Sequence, residues 1–515
     1  MTRSLSASSL GGQATSSLAE RVSRYRWTIV FALTGVTGLA LRIFCYRSAT
    51  AIPNSDEAVD GLMVRHFLHG HLAVFVWDRS YGGTQELLLA VPGFALFGSS
   101  WFALRIVPDV LSFVAVILLW RVGLRTIGKP AAAVAAGLFW IWPPFMILEV
   151  IRAEGFYSSN LVYGCGLLLL ALRIVEKPDR FRVASFGFVL GLAFWQTSQI
   201  IPIAIVTIAW IVWKAPRTLR LSWIGFPFFA LGALPWIVWN ARHGWLSLSS
   251  QNAGFGTYLR SLRLLATPLG PMTLGLRSPF SAVPLLPSAA VIDAIYGCLL
   301  LLFVYGAYRS RGRNVSLLYV VAAVFPFLYA LPSKTSYIEG WPEYTVVLMP
   351  IIALMLAQLA TTYWRAVALL VIAALVTGVT IHRMDVASKV LQPLPAAPRN
   401  FTPLVDELDR LGLDRVYADY WIAYDLDFDT KERIIAVENR FGSLSYRDGQ
   451  ATPPPDPFVR YKPYQTEVQA ARHGFVFWTR TYRQIPIVGA LMNHGYRRIF
   501  VGPFVVFAPG KSVAG

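Results

Sequence analysis

The sequence predicts a mainly α-helical, polytopic membrane protein of about eleven transmembrane helices, followed by a small extracytoplasmic α/β domain. Of its 515 residues, 55% are hydrophobic and 14% are charged, and the mean hydropathy is +0.52. An ordinary soluble domain carries about 25% charged residues. Apolar stretches of roughly 16 to 22 residues, near the ~20 needed to cross a bilayer, recur between residues 27 and 382. Past residue 392, short strand-like and helix-like runs alternate instead.

Short clusters of Lys and Arg between the apolar stretches predict the orientation of the chain. Because such residues accumulate in short cytoplasmic loops, the N-terminus is expected in the cytoplasm and the C-terminal domain outside. The net charge of +18 is therefore a signal of topology, and nucleic-acid binding is not expected. The clusters are Arg21, Arg24 and Arg26; Arg121, Arg125 and Lys129; Arg173, Lys177, Arg180 and Arg182; Lys214, Arg217 and Arg220; and Arg309, Arg311 and Arg313.

The membrane domain is expected to span residues 27–392, after a disordered cytoplasmic tail of residues 1–26. Its first apolar segment is too long for a signal-peptide core and predicts a retained helix. The external loop 47–101 carries apolar residues at helical spacing, which predicts two surface helices with a glycine-containing turn between them. Further crossings are predicted at about 102–122, 130–149, 157–175, 183–199, 200–213, 222–240, 289–308, 315–332, 344–360 and 366–382.

Residues 393–515 predict an extracytoplasmic α/β domain of about 120 residues. Pro393, Pro395 and Pro398 mark the linker that precedes it. Helices are expected at 403–411 and 488–493, strands at 415–418, 433–437 and 475–479, and a closing strand pair around 499–507.

Two adjacent carboxylates, Asp56 and Glu57, directly follow the first predicted helix at the membrane surface. A carboxylate beside a bilayer costs free energy unless it is solvated, paired or functional, so this pair is a candidate site. The alternative is that both acids occupy the first turn of a helix capped by Asn54 or Ser55, where each gains about 0.3–1 kcal/mol from the helix dipole. The two interpretations are compatible.

The predicted external location of these acids limits the chemistry. Outside the cytoplasmic membrane an enzyme has neither ATP nor nucleotide sugars, so its activated substrate must arrive within the bilayer, as polyprenyl-phosphate sugars do. Transfer from such a donor needs a carboxylate to accept the proton of the attacking hydroxyl and cations to hold the departing phosphate. The chain supplies both on the same predicted side.

The order of these elements and several motifs resemble the GT-C membrane glycosyltransferases, especially family 39, which includes protein O-mannosyltransferases and aminoarabinose transferases. The resemblance implies the GT-C fold and the inverting transfer of one sugar from a polyprenyl-phosphate donor to a glycan, lipid or protein acceptor. The reaction is expected at the outer face of the cytoplasmic membrane. The motifs are Ser55-Asp56-Glu57-Ala58 with Gly61-Leu62-Met63, Tyr81-Gly82-Gly83-Thr84, and the stretch from Tyr417 to Tyr424.

The resemblance also implies roles for individual residues. Asp56 corresponds to the family's catalytic base, with Glu57 beside it as a second catalytic candidate. Glu154 is the candidate to orient the acceptor or a divalent cation, although a simple ion pair with Arg152 is the alternative. Where the family usually has a phosphate-binding arginine the chain has Glu343, so cations of the external loops must substitute. The substrate-binding candidates are Arg152, Tyr81, Lys334, Arg277, Arg263, Arg260 and Tyr344.

Other patterns are expected to be structural. His66, His69 and His71 do not have the spacing of a zinc site, although a divalent cation elsewhere is not excluded. The run 425–429 contains an Asp-x-Asp pattern that predicts three solvated carboxylates on one face of a strand. Trp195, Gln196 and Gln199 are expected in an interfacial aromatic belt rather than a sugar site. The three distant cysteines do not indicate a disulfide framework.

Three other functions fit the composition. A transporter or flippase of lipid-linked sugars should have helices broken at mid-membrane in paired halves, and the sequence has no visible half-repeat. A ligase or polymerase of whole lipid-linked glycans would differ in the size of its product. An inactive scaffold would differ in having no transferase activity.

Overall fold

The computed structural model describes residues 8–249, 254–277, 288–332, 342–360, 362–391, 400–447 and 450–510. Lys334 and the linker prolines Pro393, Pro395 and Pro398, for which the sequence led to expectations, lie outside these ranges. Within them, the part of the chain before residue 392 is helical. The α-helices are α1 (Ser8–Arg47), α2 (Ser55–Leu68), α3 (Gln85–Phe97), α4 (Trp101–Thr126), α5 (Lys129–Ile141), α6 (Pro144–Val150), α7 (Tyr157–Glu176), α8 (Arg180–Gln196), α9 (Ile201–Lys214), α10 (Ser222–Gly232), α11 (Leu234–Arg242), α12 (Phe255–Ala266), α13 (Leu269–Thr273), α14 (Ala289–Arg309), α15 (Ser316–Tyr329), α16 (Met349–Leu359) and α17 (Tyr363–Leu391).

The prediction of a multi-pass helical membrane domain is confirmed. In the described ranges, six helices are long and apolar enough to cross a membrane, or up to eight if two strongly bent helix pairs each count as one span. The α5–α6 pair bends by 71° where Pro143 and Pro144 interrupt the helix, because proline lacks the N–H of the helical hydrogen bond. The expected count of eleven crossings therefore stays a prediction.

Two features differ from or extend the expectations for this domain. Helix α1 begins at Ser8, inside the segment expected to be disordered. Helices α8 and α10 approach at backbone distance, since a Cβ added at Gly187 would overlap the carbonyl of Gly225 and one at Gly191 would overlap that of Phe229. Such small-residue contacts are how helices pack closely in a membrane. The two helices expected in loop 47–101 form as α2 and α3.

The C-terminal part folds as an α/β unit around a five-stranded sheet with strand order β2-β1-β5-β7-β6. Strand β1 pairs in parallel with β2 and β5, whereas β7 is antiparallel to β5 and β6. Strands β3 and β4 form a separate hairpin. The elements are α18 (Thr402–Leu411), β1 (Arg415–Ala418), α19 (Tyr420–Asp429), β2 (Ile435–Glu438), β3 (Ser445–Arg447), β4 (Gln450–Thr452), α20 (Lys462–Ala470), β5 (Gly474–Trp478), α21 (Val488–Asn493), β6 (Arg497–Val501) and β7 (Phe504–Ala508).

The expectation for the Asp-x-Asp run is wrong. Residues 425–429 lie in helix α19, and Asp425 and Asp427 are buried rather than solvated on a strand. Asp427 accepts a hydrogen bond from the main-chain N–H of Ala436 at 2.6 Å. Burial raises the pKa of both carboxyls well above the usual value. Tertiary packing of α19 therefore overrides the alternating pattern that suggested a strand.

The apolar interior is divided into two clusters, and the second one positions the site. The first lies among the membrane helices. The second joins α2, α3 and the start of α4 to the sheet and helices of the C-terminal part. Within it, α2 and α19 are so close that a Cβ at Gly61 would overlap the ring of Phe428. The C-terminal unit is thus packed directly on the helix that has Asp56 in its first turn.

Candidate active site at the N-terminus of helix α2

The site is built on the first turn of α2. Asn54 caps the helix, because its side-chain oxygen accepts a hydrogen bond from the N–H of Glu57 at 3.0 Å. The amide nitrogen of the same side chain donates to Oε1 of Glu154 at 2.8 Å. The cap therefore ties the start of α2 to the loop between α6 and α7, and the helical interpretation of the acidic pair is correct.

Asp56 is the accessible member of the pair, with 37% of its side chain exposed. The hydroxyl of Tyr420 donates a hydrogen bond to Oδ1 of Asp56. Two guanidinium groups face the same oxygen, with Arg79 Nη2 at 3.7 Å and Arg460 Nη2 at 3.9 Å. Tyr420 and Arg460 belong to the C-terminal unit, whereas Arg79 lies in the turn between α2 and α3.

The two oxygens of Asp56 differ in their surroundings. The hydrogen bond and both ion pairs converge on Oδ1, and no residue in the described part of the chain donates to Oδ2. The guanidinium groups of Arg79 and Arg460, both partly exposed, stand beyond hydrogen-bonding distance of the carboxylate. The arrangement thus offers one free carboxylate oxygen beside two cations with donors to spare.

Glu57 has the opposite environment. Its side chain is fully buried and forms a bidentate ion pair with Arg105, with Nε of that arginine at 2.8 Å from Oε1. The main-chain N–H of Ala153 donates to the same Oε1 at 2.9 Å. A buried, paired carboxylate of this kind holds elements together, since removing one partner leaves an unpaired buried charge.

Glu154 and Arg152 form the ion pair that the sequence left as an alternative, with 3.3 Å between Nη1 and Oε1. Arg152 also donates to the carbonyl oxygen of Thr50. Burial raises the pKa of Glu154, while Arg152 opposes that shift. The pair lies beside the cap of α2, where Glu154 accepts the hydrogen bond from Asn54.

Sequence reasoning missed two buried acids next to the site, Asp60 and Glu86. They line a cavity of about 10 Å³ together with Ala153 and Gly155, which is the space of roughly one water molecule. Burial raises the pKa of Asp60 well above its usual value and also raises that of Glu86, whose carboxylate accepts the N–H of Ser159 at 2.7 Å. The spacing of four residues between Asp56 and Asp60 was the available signal.

The remaining substrate-binding candidates divide into two groups. Tyr81 is exposed, and its ring lies 5.7 Å from the Arg79 guanidinium, whereas Tyr344 is partly buried. Two of the loop cations that the structure describes have other surroundings: Arg277 pairs with Asp293 at 3.3 Å, and Arg263 is exposed on α12. Arg260 is also exposed on that helix.

Trp195 and Gln196 hold the turn before α3. The expectation that they lie in an interfacial aromatic belt is wrong. Trp195 and Gln196 are buried. The N–H of Gly83 donates to the carbonyl oxygen of Gln196 at 2.8 Å, and a Cβ at Gly83 would overlap that residue, so glycine is required there. The Gln196 side chain donates to the carbonyl oxygen of Gly155 at 3.0 Å. These contacts fix the Arg79-containing turn against α8.

The described residues do not form a metal site: none of their His, Cys, Asp and Glu side chains gather in groups of three or more that could hold an ion. His66 instead lies 2.8 Å from Glu432. Cys45, Cys165 and Cys298 are free thiols. A divalent cation at Glu154 stays a prediction.

Comparison with known proteins identifies the fold. No protein-family model and no curated sequence matches the chain. It is similar to ArnT of Cupriavidus metallidurans bound to undecaprenyl phosphate, with a TM-score of 0.56 and 15% identity over 95% of this chain and 99% of that one. It is also similar to the oligosaccharyltransferase AglB of Archaeoglobus fulgidus in complex with an inhibitory peptide and a dolichol-phosphate, with a TM-score of 0.50 and 13% identity over 96% of this chain and 75% of that one.

A second archaeal structure, the Archaeoglobus fulgidus oligosaccharyltransferase in complex with Zn and sulfate, gives a TM-score of 0.53 at 13% identity, over 93% of this chain and 73% of that one. ArnT and AglB are glycosyltransferases of the GT-C type. The chain therefore has the GT-C membrane fold that its motifs predicted. At these identities the likeness concerns the fold, and the chemistry must be argued from the site.

Proposed function

We propose that this protein is an integral membrane glycosyltransferase that moves one sugar from a polyprenyl-phosphate donor to an acceptor hydroxyl at the outer face of the cytoplasmic membrane. The observation that carries this proposal is the half-open Asp56 carboxylate, which has one free oxygen and two guanidinium groups within 4 Å of the other. Its occurrence in a GT-C fold supports it, because ArnT with that fold binds undecaprenyl phosphate and AglB binds a dolichol-phosphate.

In the proposed reaction, Asp56 accepts the proton of the acceptor hydroxyl through Oδ2. The hydroxyl oxygen then bonds to the anomeric carbon, and the bond from that carbon to the phosphate oxygen breaks. Its electron pair leaves with the lipid phosphate, and because the hydroxyl attacks in one step from the opposite face, the configuration at the anomeric carbon inverts. Arg79 and Arg460 would hold the phosphate as its negative charge increases.

This assignment changes the expected phosphate ligands. Among the described residues, Arg79 and Arg460 are cations that lie beside Asp56, so we assign them the part expected of Arg277 and Arg263, while the role of Lys334 stays a prediction. We assign Glu57 a positioning role, since its buried pairing with Arg105 leaves it no free oxygen. Tyr81 and Tyr344 remain candidates for contact with the sugar.

The test is transfer by the purified protein in lipid nanodiscs, supplied with a panel of polyprenyl-phosphate sugars. Asp56→Asn keeps the size of the side chain and removes the base, so we expect turnover to fall at least 100-fold, the lower range for general-base catalysis. Asp414→Asn, a change at an acid whose side chain is 67% exposed, is the matched control and should leave turnover unchanged. Equal rates for the wild type and Asp56→Asn would refute Asp56 as the base.

A further inference from the structure

Tyr420 links the C-terminal unit to two consecutive residues of α2. The hydroxyl of Ser55 donates to the main-chain carbonyl oxygen of Tyr420 at 2.6 Å. At its far end, the tyrosine hydroxyl donates to Oδ1 of Asp56. The backbone and the ring are therefore both fixed against the first turn of α2, so the hydroxyl has a defined position relative to the carboxylate.

The local structure of α19 supports the same position. Tyr420 is the first residue of this helix, and Asp419 caps it by accepting the N–H of Trp421 at 2.9 Å. The guanidinium of Arg460 lies 5.5 Å from the centre of the Tyr420 ring. A tyrosine held at its backbone, at its ring and at its hydroxyl loses little further entropy when it orients a partner.

The contact has a direct consequence for the orientation of Asp56. An aspartate side chain rotates about two bonds, and the described residues contact its carboxylate only at Oδ1. Since both guanidinium groups are too far away for hydrogen bonds, the tyrosine hydroxyl is the donor that fixes the rotation. With Oδ1 held, Oδ2 is the oxygen presented to the open side of the site.

We propose that Tyr420 is a positioning residue of the transferase site, which holds Oδ1 of Asp56 so that Oδ2 meets the acceptor hydroxyl. This inference rests on the proposed function of Asp56. The acceptor proton passes to Oδ2, and Tyr420 keeps its own proton throughout. The C-terminal unit thereby becomes part of the active centre in addition to any role in acceptor choice.

The state of the phenol agrees with this role. Burial, together with the adjacent negative charge of Asp56, raises the pKa of Tyr420 well above its usual value. The hydroxyl therefore carries its proton across the physiological range and acts as a donor to the carboxylate.

The test compares Tyr420→Phe with Tyr496→Phe, a matched change in the same unit whose hydroxyl accepts the N–H of Ala451 at 2.9 Å. For Tyr420→Phe we expect kcat to fall about 10- to 100-fold, because a misplaced catalytic group can cost this much. The KM for the donor should change less than about twofold, since the phosphate ligands remain. Tyr496→Phe should leave both constants unchanged.

The possible failures are distinguishable. A kcat for Tyr420→Phe within twofold of the wild type, combined with an inactive Asp56→Asn, would overturn the positioning role and leave the proposed function intact. Full activity of Asp56→Asn would instead overturn the proposed function. Crystal structures of the wild type and Tyr420→Phe provide a measurement independent of turnover: we expect the Asp56 carboxylate to rotate away in the variant, and an unchanged carboxylate would refute the inference.

Discussion

Helix α2 contacts the C-terminal unit at both ends, and each end has a carboxylate in a different setting. At the first turn, Asp56 receives a single hydrogen bond, and its two cations stay at 3.7 and 3.9 Å. At the last turn, Glu432 of the C-terminal unit is ligated more fully. Arg65 lies 3.0 Å from its Oε2, and His66 and the Tyr464 hydroxyl lie 2.8 and 2.6 Å from its Oε1.

The difference separates a contact that holds the unit in place from one that is available for chemistry. The Glu432 carboxylate accepts hydrogen bonds on both of its oxygens, whereas Oδ2 of Asp56 accepts none from the described residues. The pKa of Glu432 agrees with a structural role for this carboxylate. Burial alone would raise the pKa of Glu432. Hydrogen bonds from His66, Tyr464 and Arg65 outweigh burial and lower this pKa to about 2. The Glu432 end thus fixes the position from which Tyr420 and Arg460 reach the Asp56 end.

Arg79→Gln tests the Asp56 end. If this guanidinium holds the departing phosphate, its removal should lower kcat/KM about 100- to 1,000-fold, the range for loss of one electrostatic donor. The measurement is steady-state transfer in nanodiscs, with Arg410→Gln on the exposed face of α18 as the control. An unchanged kcat/KM in Arg79→Gln would mean that other cations hold the phosphate. It would also weaken the distinction between a catalytic contact at Asp56 and a structural contact at Glu432.

Glu432→Gln tests the other end through the pH dependence of unfolding. A carboxyl whose folded pKa of about 2 lies below the usual 4.5 adds stability above pH 4.5, and this stability is lost as the pH falls towards 2. With allowance for partial solvent exposure, we expect the wild type to be about 1–2 kcal/mol more stable than the variant at pH 6. This difference in the free energy of unfolding should be smaller at pH 3.

Thermal unfolding of the two proteins at both pH values measures this difference. The carboxylate faces Arg65, His66 and Tyr464, and glutamine would keep one acceptor oxygen for these groups while removing the negative charge. An equal difference in stability at pH 3 and pH 6 would show that the negative charge of Glu432 does not stabilise the C-terminal unit on α2. Turnover per folded molecule should change less than in Tyr420→Phe.

The smallest expected effect concerns Glu438, which supports the main chain of Arg460. Its Oε1 accepts the N–H of Arg460 at 3.1 Å. Burial raises the pKa of Glu438 from 4.5 to about 7, against the influence of Arg460 and Tyr424. Because the folded state binds this proton more tightly, the group's contribution to stability declines as the pH rises from about 4.5 through 7.

Glu438→Gln should therefore raise the Tm slightly at pH 8 and leave it nearly unchanged at pH 5. Glutamine keeps the oxygen acceptor for Arg460, so turnover should also stay near that of the wild type. Asp406→Asn, a change at an exposed acid of α18, is the control. A Tm that falls at pH 8 would mean that the charged carboxylate is required at this position.

Much of the fold followed from local patterns. The strand 415–418 and the helix 488–493 begin and end at the predicted residues, because alternation and amphipathic spacing are properties of short segments. Helix α19 was missed, since its apolar and acidic residues alternate as in a strand and only packing against α2 decides its conformation. Asp56 was identified from its place after the first apolar segment.

The sequence by itself determined that this is a multi-pass helical membrane protein with an acidic pair after its first helix, because hydropathy and helix capping act over a few turns of chain. Only the tertiary structure decided which acid is open, which is buried and which cations stand beside it. Tyr420 lies 364 residues from Asp56 along the chain. No local pattern records such a contact, since it exists only when the C-terminal unit packs on α2.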